Sequence, residues 1–170
     1  KHTQLADNPD TEASSICEAI VDIGVMRERL VTMSQRTGID LHEQLRTIAS
    51  KKYADDACSI PFPFLNARLY AISASDLLVL FNEIILSESD RFETASKNPY
   101  IIDGGANIGT SIAYFKWLYP ESRIVAFEPN PAIFEICKRN IELNEWRHIT
   151  LHPYALSGAN GQLVFHCDRD

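Results

Sequence analysis

The sequence predicts an α/β chain in two parts. A mostly helical N-terminal extension over residues 1–75 precedes β-α-β-α-β, the first half of a doubly wound parallel sheet, over 76–170. Three observations predict it. Apolar residues recur at helical spacing before residue 60 and again from Leu77. Beyond residue 100, short β-branched runs alternate with amphipathic stretches. A glycine-rich turn leaves the first of those runs and opens a helix.

The first ten residues are polar, and the helical pattern starts at Asp10 or Thr11 with Ile16, Ile20 and Ile23 on one face. Gly38 stops this helix, and Asp40 with Glu43 three residues on marks the next, from Leu41 to about Lys52. Asp55-Asp56 and Pro61-Phe62-Pro63 form a boundary, after which Phe64 to Ile72 is expected as a strand pair or an extended segment. Ser75-Asp76 is expected to open a third helix, Leu77 to about Leu86, with Leu77, Leu80, Phe81 and Ile84 at helical spacing. Tyr100-Ile101-Ile102-Asp103 reads as a strand ending in an acid, and the turn Gly104-Gly105-Ala106-Asn107-Ile108-Gly109 follows it. Thr110 to Tyr119 is the crossover helix, ended by Pro120. Arg123 to Phe127 is the second strand, with Glu128 at its carboxyl end. Asn130 caps a helix that has Pro131 in its first position and runs to about Asn144. Ile149 to His152 is the third strand, and Gly161 between Ala155-Leu156 and Leu163-Val164-Phe165 predicts a hairpin. Trp117, Trp146, Ile133 and Phe134 are expected to pack, and Lys138-Arg139 to lie on a solvated helix face. The helices before residue 60 read as a packing or oligomerisation extension.

Composition excludes several function classes. The 170 residues carry 16 Lys+Arg against 23 Asp+Glu, a net charge of −7, which opposes a nucleic-acid backbone and an anionic membrane surface alike. No apolar run approaches the roughly 20 residues of a membrane span. No secretory signal is legible at Lys1-His2-Thr3-Gln4, and the dispersed cysteines make a reducing cytoplasm the expected setting. Cys17, Cys58, Cys137 and Cys167 are too dispersed for a zinc knuckle or a disulfide framework and are expected as reduced thiols. His148 and His152 are four apart, but Pro153 and the β-branched run between them favour a strand, which separates them, so no metal site is expected.

The chemistry gathers at two points. In the predicted topology the glycine-rich turn and Glu128 share the edge outside the carboxyl ends of the strands. Glycine lets a ligand approach the backbone without meeting a Cβ. A carboxylate at Glu128 can accept two hydrogen bonds from a ribose diol, each contributing about 1.5–3 kcal/mol. A dinucleotide fingerprint needs Gly-x-Gly-x-x-Gly, yet Asn107 occupies the place of the second glycine and Gly109 comes one residue early. Asn107 puts a side chain where a pyrophosphate would pass, and Asp103 adds a charge that repels one. A nucleoside with a cationic end fits better: S-adenosylmethionine has a ribose, an ammonium and a sulfonium.

The run Ile101-Ile102-Asp103-Gly104-Gly105-Ala106-Asn107-Ile108-Gly109, then Ala126-Phe127-Glu128-Pro129-Asn130-Pro131 and Lys138-Arg139-Asn140-Ile141, resembles the FkbM-type family of S-adenosylmethionine-dependent methyltransferases. The match covers residues 80–166 and is weak before residue 76. The resemblance implies the Rossmann-like class I methyltransferase fold and O-methylation of a hydroxyl on a sugar, glycan or natural product. It implies that Gly104, Gly105, Ala106, Asn107 and Gly109 line the methionine and ribose side of the cofactor. It implies that Asp103 orients the amino-acid end, that Glu128 holds the ribose and Pro129 packs near the adenine, and that Tyr154 or Ala155 borders the adenine edge.

The family's next strand, with its acidic motif, has no counterpart here, so no catalytic residue is assigned and the chain is expected to be a fragment. Otherwise the free edge of the first strand is expected to be covered by another chain, as in a homo-oligomer formed there or through the N-terminal helices. A non-catalytic nucleoside-binding or interaction module is the alternative function, and an NAD-dependent oxidoreductase is opposed by Asn107.

Overall fold

The computed structural model describes residues 24–51, 59–159 and 161–162. The helical pattern before Gly24 lies outside the described residues, as do Cys17, Cys58, Cys167 and the Leu163–Phe165 half of the expected hairpin. Ala155 and Leu156, its other half, form no strand.

Helix α1 (Gly24–Thr37) ends at Gly38, whose φ of +70° closes the last turn as a left-handed residue. Helix α2 (Leu41–Ala49) starts where Asp40 accepts a hydrogen bond from the Glu43 N–H at 3.0 Å. It buries Leu41, Leu45 and Ile48 and stops three residues short of the predicted Lys52. The expected extended segment is an antiparallel hairpin, β1 (Phe62–Phe64) and β2 (Ala67–Leu69), with Pro63 opposite Arg68. Leu65 turns it at a φ of +53°, uncommon for a branched side chain. Gln44 holds that turn: its side-chain amide donates to the Leu65 carbonyl at 2.7 Å and accepts from the Leu65 N–H at 3.0 Å.

Helix α3 (Ala74–Phe81) begins before the predicted Ser75-Asp76, because Ser73 is the cap. Its hydroxyl oxygen accepts from the Asp76 N–H at 3.0 Å, and the hydroxyl donates to the Asp76 carboxylate at 2.7 Å. The helix continues through a wider π-helical turn, Asn82–Leu86, closed by the Ser87 N–H on the Asn82 carbonyl at 2.9 Å.

The second half is the predicted β-α-β-α-β. Strand β3 (Tyr100–Asp103), helix α4 (Thr110–Leu118), strand β4 (Arg123–Phe127), helix α5 (Pro131–Leu143) and strand β5 (Ile149–His152) form a parallel sheet ordered β3-β4-β5. Asp103 lies opposite Ala126, and Phe127 opposite His152, so the carboxyl ends line up along one edge. Ile101, Asp103, Ile124 and Ala126 face inward and are buried, whereas Tyr100 and Ile102 are 67% and 65% exposed on the other face.

One apolar cluster runs from Leu30 through Phe64, Leu77 and Phe81 to Ile112, Tyr114 and Ile124. Trp117 and Trp146 pack against it as expected, and Ile133 touches its margin. Phe134 is only half-buried and lies outside the cluster, a correction to the expected core position: its neighbours Ile133 and Cys137 take the places against the core on that turn. Arg139 is exposed, but its guanidinium lies 3.4 Å from the centre of the Tyr70 ring rather than in free solvent. Among the described residues no helix is long and apolar enough to cross a membrane.

Candidate nucleoside site

The site starts with backbone geometry that the residue types permit. Asn107 has a φ of +48° and Gly109 a φ of +95°, the left-handed region that glycine and asparagine tolerate. Asn107 closes on itself, its side-chain oxygen accepting from the Ile108 N–H at 2.8 Å. The Ala106 N–H donates to the Phe127 carbonyl at 2.9 Å and so hangs the turn from the end of β4. A Cβ at Gly109 would meet the Cys137 sulfur at 3.4 Å, whereas one at Gly105 would meet nothing within 4 Å. The backbone at Gly105 is therefore open to solvent, and that at Gly109 is packed.

Two carboxylates flank the turn. Asp103 is 9% exposed; one oxygen accepts from the Ser111 hydroxyl at 2.6 Å and the other from the Gly105 N–H at 3.4 Å. Burial pushes its pKa above the ordinary value, the nearby charge of Asp90 adds to that, and the two hydrogen bonds oppose it. Glu128 is 7% exposed and bridges two loops. One oxygen accepts from the Asn107 N–H at 3.0 Å, the other from the Asn130 N–H at 2.8 Å. A carboxylate offers about four acceptor directions, so these two bonds leave room for a ligand's donors.

The structure thus gathers Asp103, Gly104, Gly105, Ala106, Asn107, Gly109 and Glu128 at one edge of the sheet. Within that group Ala106 and Gly109 are buried, Asn107 is half-buried, and Gly104 and Gly105 are exposed. Pro129 is half-buried beside Glu128. Tyr154 and Ala155 are exposed; contact with the turn comes from their neighbour Leu156, whose Cδ1 lies 3.4 Å from where a Gly104 Cβ would stand. His148 precedes β5 and His152 closes it, so the strand holds them apart.

Three groups were not legible from spacing. Ser111 reaches back to Asp103 from the first turn of α4. Phe127, His152 and Tyr154 stack in sequence, with ring centres 5.2 Å and 6.3 Å apart. Asn140 of α5 donates to the Ile108 carbonyl inside the turn at 2.8 Å. Ser111 alone had a local signal, a hydroxyl in the first turn after the glycines. Chemically, an open backbone between two carboxylates accepts hydroxyls and cations and repels a diphosphate.

No family model matches the chain. In sequence it is similar to methyltransferases. It is 38% identical to Methyltransferase sdnD of Sordaria araneosa, over 45% of this chain and 29% of that protein. It is 35% identical to Methyltransferase 1 of Beauveria bassiana, over 56% of this chain and 39% of that protein. It is 32% identical to the 2-O-methyltransferase NoeI of Sinorhizobium fredii, over 41% of this chain and 28% of that protein. The chain therefore matches well under half the length of these relatives. Among solved structures, Trm5 of Methanocaldococcus jannaschii in complex with adenosine is 24% identical, over 44% of this chain and 22% of that one, with a TM-score of 0.34. So partial an overlap adds nothing to the strand order described above.

Proposed function

We propose that this chain carries the S-adenosylmethionine-binding half of a class I methyltransferase of the FkbM type. In this reading residues 1–75 are a mostly helical extension, the β1–β2 hairpin included, and 76–170 the cofactor half. The observation that carries it is Glu128 at the carboxyl end of β4, buried beside a glycine turn whose backbone is open at Gly105. The residues fit the cofactor. Glu128 has acceptor directions to spare for a ribose diol, and Asp103, held by burial in a state averse to its own charge, gains from a cationic neighbour. When bound, S-adenosylmethionine supplies a methyl group made electrophilic by its sulfonium.

The chain's own residues bind and orient. Glu128 holds the ribose, Asp103 orients the amino-acid end directly or through water, and the exposed backbone of Gly104 and Gly105 lets the methionine part lie close. Pro129 borders the adenine, with Tyr154 or Ala155 at its edge. Such positioning lowers the barrier by holding sulfonium and acceptor in line. The acceptor is a hydroxyl on a small molecule or glycan, supported by the relative named 2-O-methyltransferase. The setting is the cytoplasm.

Calorimetry with S-adenosylhomocysteine, with NADH as competitor, tests the site; binding that NADH does not compete is expected, and no binding sinks the reading. Mass spectrometry of sugar, glycan and polyketide acceptors incubated with the protein and S-adenosylmethionine tests the reaction. Bound cofactor without a methylated product would favour a binding module instead.

A further inference from the structure

We propose that Asn140 is a positioning residue for the nucleoside-binding turn: its carboxamide ties the edge of the β1–β2 hairpin to the Ile108 carbonyl. The role of that turn rests on the function proposed above. Asn140 is completely buried, and every polar atom of its side chain is used. Its oxygen accepts from the Tyr70 N–H at 2.7 Å, and its nitrogen donates to the Tyr70 carbonyl at 2.9 Å and to the Ile108 carbonyl at 2.8 Å. The Ile108 carbonyl belongs to the peptide unit entering Gly109, between the two left-handed residues of the turn. Holding it fixes the path from Asn107 to Gly109, and with it the Asn107 N–H that meets Glu128.

Asn144, one helical turn on, supplies the internal control. Its oxygen accepts from the Arg68 N–H at 3.0 Å and its nitrogen donates to the Arg68 carbonyl at 2.8 Å. Its remaining bond goes back to the Asn140 carbonyl in its own helix. The match is metric: four helical residues rise about 6.0 Å, and two strand residues about 6.6 Å. The two carboxamides therefore act as successive peptide groups against the hairpin edge, covering N–H and C=O groups that β1 does not pair. Both asparagines dock the hairpin, but only Asn140 also reaches the turn.

Asn140→Asp and Asn144→Asp each turn two donated bonds into oxygen–oxygen repulsions at constant shape, and both should lower the thermal midpoint. In the ligand-free chain, amide hydrogen exchange at Asn107 should accelerate about tenfold or more in Asn140→Asp and stay within about twofold in Asn144→Asp. S-adenosylhomocysteine affinity should fall about tenfold in the first variant only. Equal effects of both variants on Asn107 exchange, or no effect of Asn140→Asp, would overturn the proposal. Should Asn140→Asp fail to fold, Asn140→Ser removes the turn contact without a buried charge and is judged by the same criteria. If the unaltered chain binds no S-adenosylhomocysteine, the functional reading falls while the exchange comparison still decides the role of Asn140.

Discussion

Glu128 already holds two backbone amides, so its removal has two separable effects. Losing the bonds to a ribose diol weakens a nucleoside on the order of a hundredfold or more. Leaving the Asn107 and Asn130 amides short of that acceptor costs roughly 1–3 kcal/mol each where no water replaces it. Glu128→Ala should therefore abolish detectable S-adenosylhomocysteine binding in calorimetry and also lower the unfolding free energy in denaturant. Unchanged affinity would remove the ribose assignment. Cys137 shows the opposite chemistry: burial, reinforced by the charges of Asp103 and Glu128, pushes its thiol up to about 12. In peptide mapping at mild alkaline pH, iodoacetamide should leave Cys137 unmodified in the folded chain and label it after unfolding. Ready labelling in the native state would show that the packing of Cys137 against Gly109 is loose.

At the scale of elements, Glu88 joins pieces that the sequence keeps far apart. It sits at a φ of +49° just beyond the π-helical turn, pairs with Arg36 of α1 and accepts from the Tyr114 hydroxyl of α4 at 2.8 Å. Arg36 also lies over the Trp117 ring, 5.2 Å from its centre. Partial burial alone would raise the Glu88 pKa, but the bonds from Arg36 and Tyr114 and the charges of Arg36 and Arg91 win, and the pKa is lowered. A lowered carboxylate pKa gives stability that is present above the unfolded value and lost as pH falls through the folded one. Glu88→Gln should destabilise the chain near neutral pH, and the gap from the unaltered chain should close below about pH 4. A gap that persists in acid would mean that shape, not charge, is what Glu88 contributes. Arg36 is about one-third exposed, so solvent screening keeps the effect modest.

At the scale of the molecule, the sheet among the described residues has one covered face and one open face. Parallel sheets usually bury both. Here Tyr100 and Ile102 stand exposed, and Phe127 and His152 are half-buried beside them. Among the described residues β3 also has no neighbour on its side away from β4. An apolar fluorescent dye should bind this chain, and Ile102→Lys should weaken the signal without moving the thermal midpoint. An unchanged signal would place the dye elsewhere.

The caps and turns were legible because each is written within a few residues. Asp40 with Glu43, Asn130 with Pro131, and Gly38 and Gly109 encode conformations that local sterics and one short hydrogen bond decide. The strand–turn–helix order and the position of Glu128 follow from the same local patterns plus the handedness of parallel crossovers. The Ser73 cap was misplaced by two residues because Ser75-Asp76 offers a competing signal that sequence cannot rank. Nor could any spacing rule pair Asn140 with Tyr70 across 70 residues, or Asn144 with Arg68 across 76. By itself, then, the sequence determined the β-α-β-α-β order and brought the glycine turn and Glu128 to the carboxyl edge of the sheet, but not the π-helical turn at Asn82–Leu86 or the absence of a strand at Ala155-Leu156. Only the tertiary structure decided that Glu128 spends an acceptor on each of two loops and that a helix of the second half clamps a hairpin of the first. The physical reason is that hydrogen-bond partners distant in the chain are chosen by packing, which brings particular atoms within reach only after the elements have docked.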